Sequence, residues 1–212
     1  MSPAPVARRD AGDVALYLSS LTRLPHPVLA GIVADGRAAE APPVDLLTGA
    51  LLHGFATAIA ATRVLEIGTG LGCSTLWLAT ALPPGALLVS LERDQQRATA
   101  ARRHLAEAGL DDRVNVMIGE ADRYLHKLAG PFDLIFQDGD TAHYGPMLDK
   151  LTALLRPGGV LVSNGILQHD DAETAEAVAI GAYNERLAND TRFTTTFLPV
   201  GAGVSIAVKA RA

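Results

Sequence analysis

Apolar residues along this chain follow two rhythms, and the change between them falls near residue 62. Before it the spacing is helical. Residues 13–24 and 28–37 read as two helices parted by Pro25 and Pro27, because proline lacks the amide hydrogen that a helix interior needs. Pro42 and Pro43 punctuate again. Asp45 then suits the N-cap of a helix running to about residue 60, with Leu46, Leu47, Ala50, Leu51 and Phe55 on its buried side. The first ten residues show no such spacing and are expected to be poorly ordered.

After residue 62, short apolar runs at 63–67, 86–91, 114–118, 133–137 and 159–163 alternate with helix-like stretches at 74–82, 95–108, 122–128 and 144–155. Strands apolar on both faces, alternating with helices, predict a parallel sheet covered on each side. A last helix at 172–189 precedes two runs, 193–198 and 203–209, whose connection Pro199-Val200-Gly201-Ala202 suits a hairpin. The expected fold class is α/β. It is a doubly wound, Rossmann-like seven-stranded sheet, mostly parallel with a C-terminal antiparallel hairpin and helices on both faces.

Composition narrows the function classes. A chain of 212 residues, 49% hydrophobic and 19% charged, allows one structural domain with a large core. The net charge of −5 and the lack of any Lys/Arg block argue against a nucleic-acid partner. No apolar run reaches the roughly 18–20 residues of a membrane span, so no membrane partner is expected. The N-terminus lacks the basic start and apolar core of a signal peptide. Cys73 is the only cysteine, which excludes an intrachain disulfide and multi-cysteine metal sites and is compatible with a cytoplasmic location.

The chemistry concentrates after the first strand, in Glu66-Ile67-Gly68-Thr69-Gly70-Leu71-Gly72-Cys73-Ser74. Glycines let the backbone turn tightly and let a ligand approach, and in open α/β sheets ligands bind at the carboxyl ends of strands. A dinucleotide fingerprint wants glycine where Cys73 stands, and a phosphate-binding P-loop wants a lysine that is missing. Glu66 instead offers a carboxylate to a cation. Glu92, ending the second strand, is placed to accept from both hydroxyls of a ribose. An acidic loop followed by a ribose acceptor suits S-adenosylmethionine, whose ammonium and sulfonium are positive. A nicotinamide dehydrogenase is the rival reading of Gly68, Gly70 and Glu92, and a plain strand-to-helix turn is the bland one.

These residues resemble class I methyltransferases, and more closely the catechol and caffeoyl-CoA O-methyltransferase group. The resemblance runs from about Val44 to the C-terminus through VLEIGTGLGCS, SLERD, AGLDDRV, FDLIFQDGD, LLRPGGVLVSNG and the closing hairpin. It implies that Glu66 and Gly68 line the methionine end of S-adenosylmethionine, with Gly70 in the same turn. Ser74 would bond its carboxylate with backbone help near Val44, and Glu92 would hold the ribose. Arg93 would flank the adenine, and Gly119, Glu120 and Ala121 would meet its edge. Asp138 would lie between cofactor and acceptor. It further implies a small-molecule methyl acceptor and a homodimer. Because the resemblance begins near Val44, the chain is divided into an N-terminal helical segment at 1–43, expected to cover the acceptor mouth or to pair with a second subunit, and a methyltransferase domain at 44–212.

The departures from that group matter as much. Its metal-dependent members hold a divalent cation with an aspartate after the fourth strand and an Asp-Asn pair after the fifth. Here Asp138 is kept, but Asn164 and Gly165 stand at the pair, so a divalent metal is not expected. Thr141 replaces the lysine usually read as general base. The candidate bases left are Asp138, Asp140, His143 and His169. Each has a plainer alternative: Asp138 as a polar wall, His169 as the start of the next helix, and His143 as a neighbour of the packing residue Tyr144. Cys73 and Trp77 read as packing residues, and His26 as part of a surface turn or of a lid over the acceptor. Two functions follow: a metal-independent O-methyltransferase of a small hydroxylated molecule, or a regulatory protein that binds S-adenosylmethionine and has lost catalysis. N- or S-methylation is a variant of the first.

Overall fold

The computed structural model describes residues 11–38, 43–167 and 173–211. Helices α1 (Ala11–Leu21), α2 (Val28–Ala38) and α3 (Leu46–Ala58) precede the sheet. The sheet and its helices follow as β1 (Arg63–Ile67), α4 (Cys73–Ala81), β2 (Leu87–Glu92), α5 (Gln95–Glu107), β3 (Val114–Ile118), α6 (Ala121–Leu125), β4 (Phe132–Gln137), α7 (Tyr144–Leu154), β5 (Leu155–Asn164), α8 (Ala175–Asn189), β6 (Phe193–Leu198) and β7 (Val204–Lys209). The strand order is β3-β2-β1-β4-β5-β7-β6, with β1 to β5 parallel and β7 antiparallel to both neighbours. This is the α/β fold that the alternating runs predict. Among the described residues no helix is long and apolar enough to cross a membrane.

Successive strand residues point to opposite faces, which sorts the core into two layers. Val64 of β1 with Leu134 and Phe136 of β4 packs under α3, α4 and α5. Leu65, Ile67 and Ile135 pack under α7 and α8. Chain order reverses between β1 and β4, so the loop after β1 opens at the switch point, where an open sheet leaves a crevice.

Several boundaries differ from the sequence reading. Strand β5 starts at Leu155 and carries Pro157-Gly158-Gly159 within it, because Leu155 pairs beside Phe132 before a register shift. Helix α6 is shorter than expected, and the last helix starts at Ala175, with Thr174 as its N-cap, not at 172. Residue 172 and the first ten residues of the chain lie outside the described residues. Asp45 caps α3 as expected, accepting from the amides of Leu47 and Thr48 at 3.0 Å. The fully buried face of α3 is a different one: Thr48, Gly49, Leu52 and Ala56, with Leu46, Ala50, Leu51 and Phe55 only partly covered. The cause is Trp77 of α4, buried as expected, whose ring lies so close to Gly49 that a β-carbon there would strike it. Small residues therefore make the helix contact.

Candidate functional site

The ends of β1, β2, β3 and β4 surround a cavity of about 430 Å³, within the range of small-ligand pockets. Its floor is the glycine loop. Gly68 adopts φ +95 and backs onto the Asp138 carbonyl, which leaves no room for a β-carbon. The Gly68 amide donates to the Leu91 carbonyl and the Asp138 amide to that of Ile67, so the loop and the end of β4 are tied to the strands.

Glu92 forms the side wall. Its Oε2 accepts from the Gly70 amide at 2.7 Å and its Oε1 from the Asp94 amide at 2.9 Å. Each carboxylate oxygen keeps a second lone pair, enough for a pair of vicinal hydroxyls. Val44, Gly68, Gly70 and Ser74 line the cavity on the loop side. Arg93, Gly119, Glu120 and Ala121 line it beyond Glu92, and Asp138 and His143 close the far end. The structure thus brings together the residues expected to bind, with one exception.

That exception is Glu66. The sequence reading put its carboxylate against the ligand's cation, but it is fully buried behind the loop and does not line the cavity. Strand alternation explains this, since residue 66 shares the face of Val64 and points under α4. Its Oε2 accepts from the hydroxyls of Thr75 and Ser90. Burial raises its pKa to about 7; hydrogen bonds from Ser74, Ser90 and Thr75 oppose the rise and the Asp138 charge adds to it. Burial also pushes the Cys73 thiol up to about 12, as a packing residue and not a nucleophile requires.

At the far end, Asp138 is half-buried on the cavity wall. Its Oδ1 accepts from Asn164 Nδ2 at 2.9 Å. Burial raises its pKa to about 6, with Asn164 opposing and the Asp45 charge adding. Tyr144, packed as expected, shares its one hydroxyl proton between the carbonyls of Gln137 and Asn164, at 3.1 and 3.0 Å, and so fixes the ends of β4 and β5 together. His143 is half-exposed, with Nε2 3.9 Å from Asp140 Oδ2. Asp140 caps the 3₁₀ turn Thr141–His143 and lies equally far from Arg93. His169 lies outside the described residues.

Sequence reasoning missed Ile32 and Gly36 of α2, Arg97 of α5 and Met147 of α7, all of which line the cavity. Ile32 and Gly36, four apart on one helix face, carried a weak signal. Which way that face turns is not a local property.

Comparison with known proteins agrees with this geometry. The model of the O-methyltransferase family matches residues 44–210. The catechol O-methyltransferase of Mycobacterium tuberculosis is 39% identical over 175 residues, covering 80% of each chain. That of Niastella koreensis is 34% identical over 159 residues, covering 71% of this chain and 72% of its own. The O-methyltransferase TomG from Streptomyces achromogenes, solved in complex with S-adenosylmethionine, superposes with a TM-score of 0.85 at 31% identity, covering 93% of this chain and 96% of that one.

Proposed function

We propose, from the premise that this chain belongs to the O-methyltransferase family and takes its methyl group from S-adenosylmethionine, that it methylates a hydroxyl of a small, catechol-like acceptor without a divalent metal. The observation that carries the metal-free reading is the donor set beside Asp138, where Asn164 and Gly165 supply no second carboxylate. A cation held by Asp138 needs further oxygen ligands turned toward it. Asn164 turns an N–H toward Asp138 instead. Gly165 offers no side chain and adopts φ +75, where few other residues are tolerated. No three of His, Cys, Asp or Glu converge among the described residues. These residues do not fit a divalent ion.

They do fit the methyl donor. Glu92 has free lone pairs for ribose hydroxyls, the bare glycine turn admits close approach, and Asp138 sets a carboxyl at the far end of the cavity. When bound, S-adenosylmethionine supplies a methyl group already activated on a cationic sulfur. The protein's part is to orient the acceptor oxygen and to take its proton. Asp138 is our first candidate for the proton acceptor and His143 the second. His143 stands at the more exposed end of the cavity.

Catechol turnover is expected to persist in excess EDTA and to gain nothing from added Mg²⁺. Loss with EDTA and recovery with Mg²⁺ overturns the metal-free reading. Binding of S-adenosylhomocysteine without turnover of any hydroxylated acceptor favours the protein that has lost catalysis.

The same reading makes residues 1–43 the cap over a catalytic domain at 44–212, supported by the cavity-lining residues of α2. It also makes the protein a cytoplasmic homodimer. Support for the dimer comes from α1, which leaves Leu16 73% and Leu21 61% exposed. Light scattering should give twice the 22.1 kDa chain mass, and a monomer mass removes the dimer.

A further inference from the structure

His104 is almost completely buried on α5, yet it touches no cavity surface and takes no part in the chemistry above. Both of its ring nitrogens are engaged. Nδ1 lies 2.9 Å from the Leu71 carbonyl, which only accepts, so this nitrogen carries a hydrogen. Nε2 lies 3.1 Å from Asp35 Oδ2 on α2. The Arg103 guanidinium completes the group, with Nη2 3.0 Å from the same Asp35 oxygen and 3.1 Å from Nε2. If Nε2 is protonated it donates to Asp35 directly; if it is bare, Arg103 donates to both. The connection therefore holds in either form of the ring.

The two ends of this connection are both walls of the cofactor cavity. Leu71 belongs to the glycine loop, and Ile32 and Gly36 of α2 close the cavity from the other side. Asp35 is one residue from Gly36 and three from Ile32, so anchoring it sets where that wall stands. The loop is braced from behind as well, since Ala101 of α5 stands at van der Waals distance from a β-carbon placed on Gly72. Asp35 and Arg103 are each about half exposed, and an exposed pair of that kind contributes little to folding by itself. Its value lies in what the buried imidazole carries it to.

We propose that Asp35 and His104 form a clasp that fixes α2 to the glycine loop, with His104 as a positioning residue for retention of the cofactor. The proposal rests on the methyl-donor reading and adds a specific retaining device to it. Loosening the clasp lets the α2 wall move away from the ligand while the acceptor end, at Asp138 and His143, keeps its geometry.

The test is calorimetric titration with S-adenosylhomocysteine. Wild-type binding checks the cofactor reading separately. Asp35→Ala is expected to weaken that binding about tenfold, a coupling of ordinary size for a positioning contact. Asp35→Asn keeps an oxygen acceptor and is expected to return affinity to within about twofold of wild type. The KM for S-adenosylmethionine should rise with Asp35→Ala while the acceptor KM at saturating donor does not move. His104→Phe keeps the volume, loses both bonds and should follow Asp35→Ala. Because Asp35 is half exposed, its variants report on the clasp even if His104→Phe fails to fold. Wild-type affinity in Asp35→Ala, or a loss that Asp35→Asn does not rescue, overturns the proposal.

Discussion

Replacing Glu92 with alanine is expected to weaken S-adenosylhomocysteine binding by about a hundredfold or more. The side chain does two tasks at once. It holds the loop, through the amides of Gly70 and Asp94, and it presents two oxygens to the ribose. Hydrogen bonds to a charged group contribute about 1.5–3 kcal/mol each, so losing even two of them corresponds to a factor of a hundred. Glu92→Gln should not rescue binding fully. Its amide nitrogen must face either the Gly70 N–H or the Asp94 N–H, donor against donor. Calorimetry on both variants, with thermal melts to confirm folding, checks this. Binding within threefold of wild type in Glu92→Ala would remove Glu92 from the site.

The second large effect concerns Asp138. Asp138→Asn is expected to lower kcat by about 10²–10⁴, the range typical of a lost general base, while cofactor affinity changes far less. Asparagine at this position can still accept from Asn164, so the local fold should persist. The wild-type pH profile gives an independent check. Burial holds the Asp138 carboxyl up to about 6, so in the free enzyme the base is ionised above that pH and protonated below it. The profile of kcat/KM for S-adenosylmethionine should therefore fall toward acid with its midpoint near 6. In the donor complex the limb should move lower, because a positive sulfur nearby favours the ionised carboxylate.

Stability follows the same linkage. The folded-state value lies above the unfolded one of 3.8, so the folded chain binds this proton more tightly. Stability from this group is thus highest below about pH 4 and is lost as the pH rises through about 6. Asp138→Asn should flatten both the activity limb and that slope. An unchanged activity limb in the variant would pass the role of base to His143.

Much of this was legible in the chain itself. The runs around Val64, Leu88, Val116 and Leu134 mark strands, because a strand covered on both faces is apolar throughout. The three glycines after β1 mark the ligand turn, and the structure gives them φ of +95, +54 and +93, values that other residues avoid. Glu92 and Asp138 were readable as strand-end carboxylates. Glu66 was readable as a carboxylate but not as a buried one, because the pattern shows which residues share a face and not what covers that face. The same gap hid the inward face of α3, set by one close approach between Gly49 and Trp77.

What the sequence determined alone was local: where each strand and helix lies, where the backbone must turn tightly, and which acids end which strands. These follow from periodicity, capping and allowed dihedrals, all of which act over a few residues. The tertiary structure decided which residues far apart in the chain meet. Strand order put β4 beside β1 and so brought Asp138 against Gly68, 70 residues apart in sequence. Helix packing brought Asp35 to His104 and turned Ile32 toward the cavity. Such contacts arise from burying helix and sheet faces against one another, and no short-range pattern specifies them.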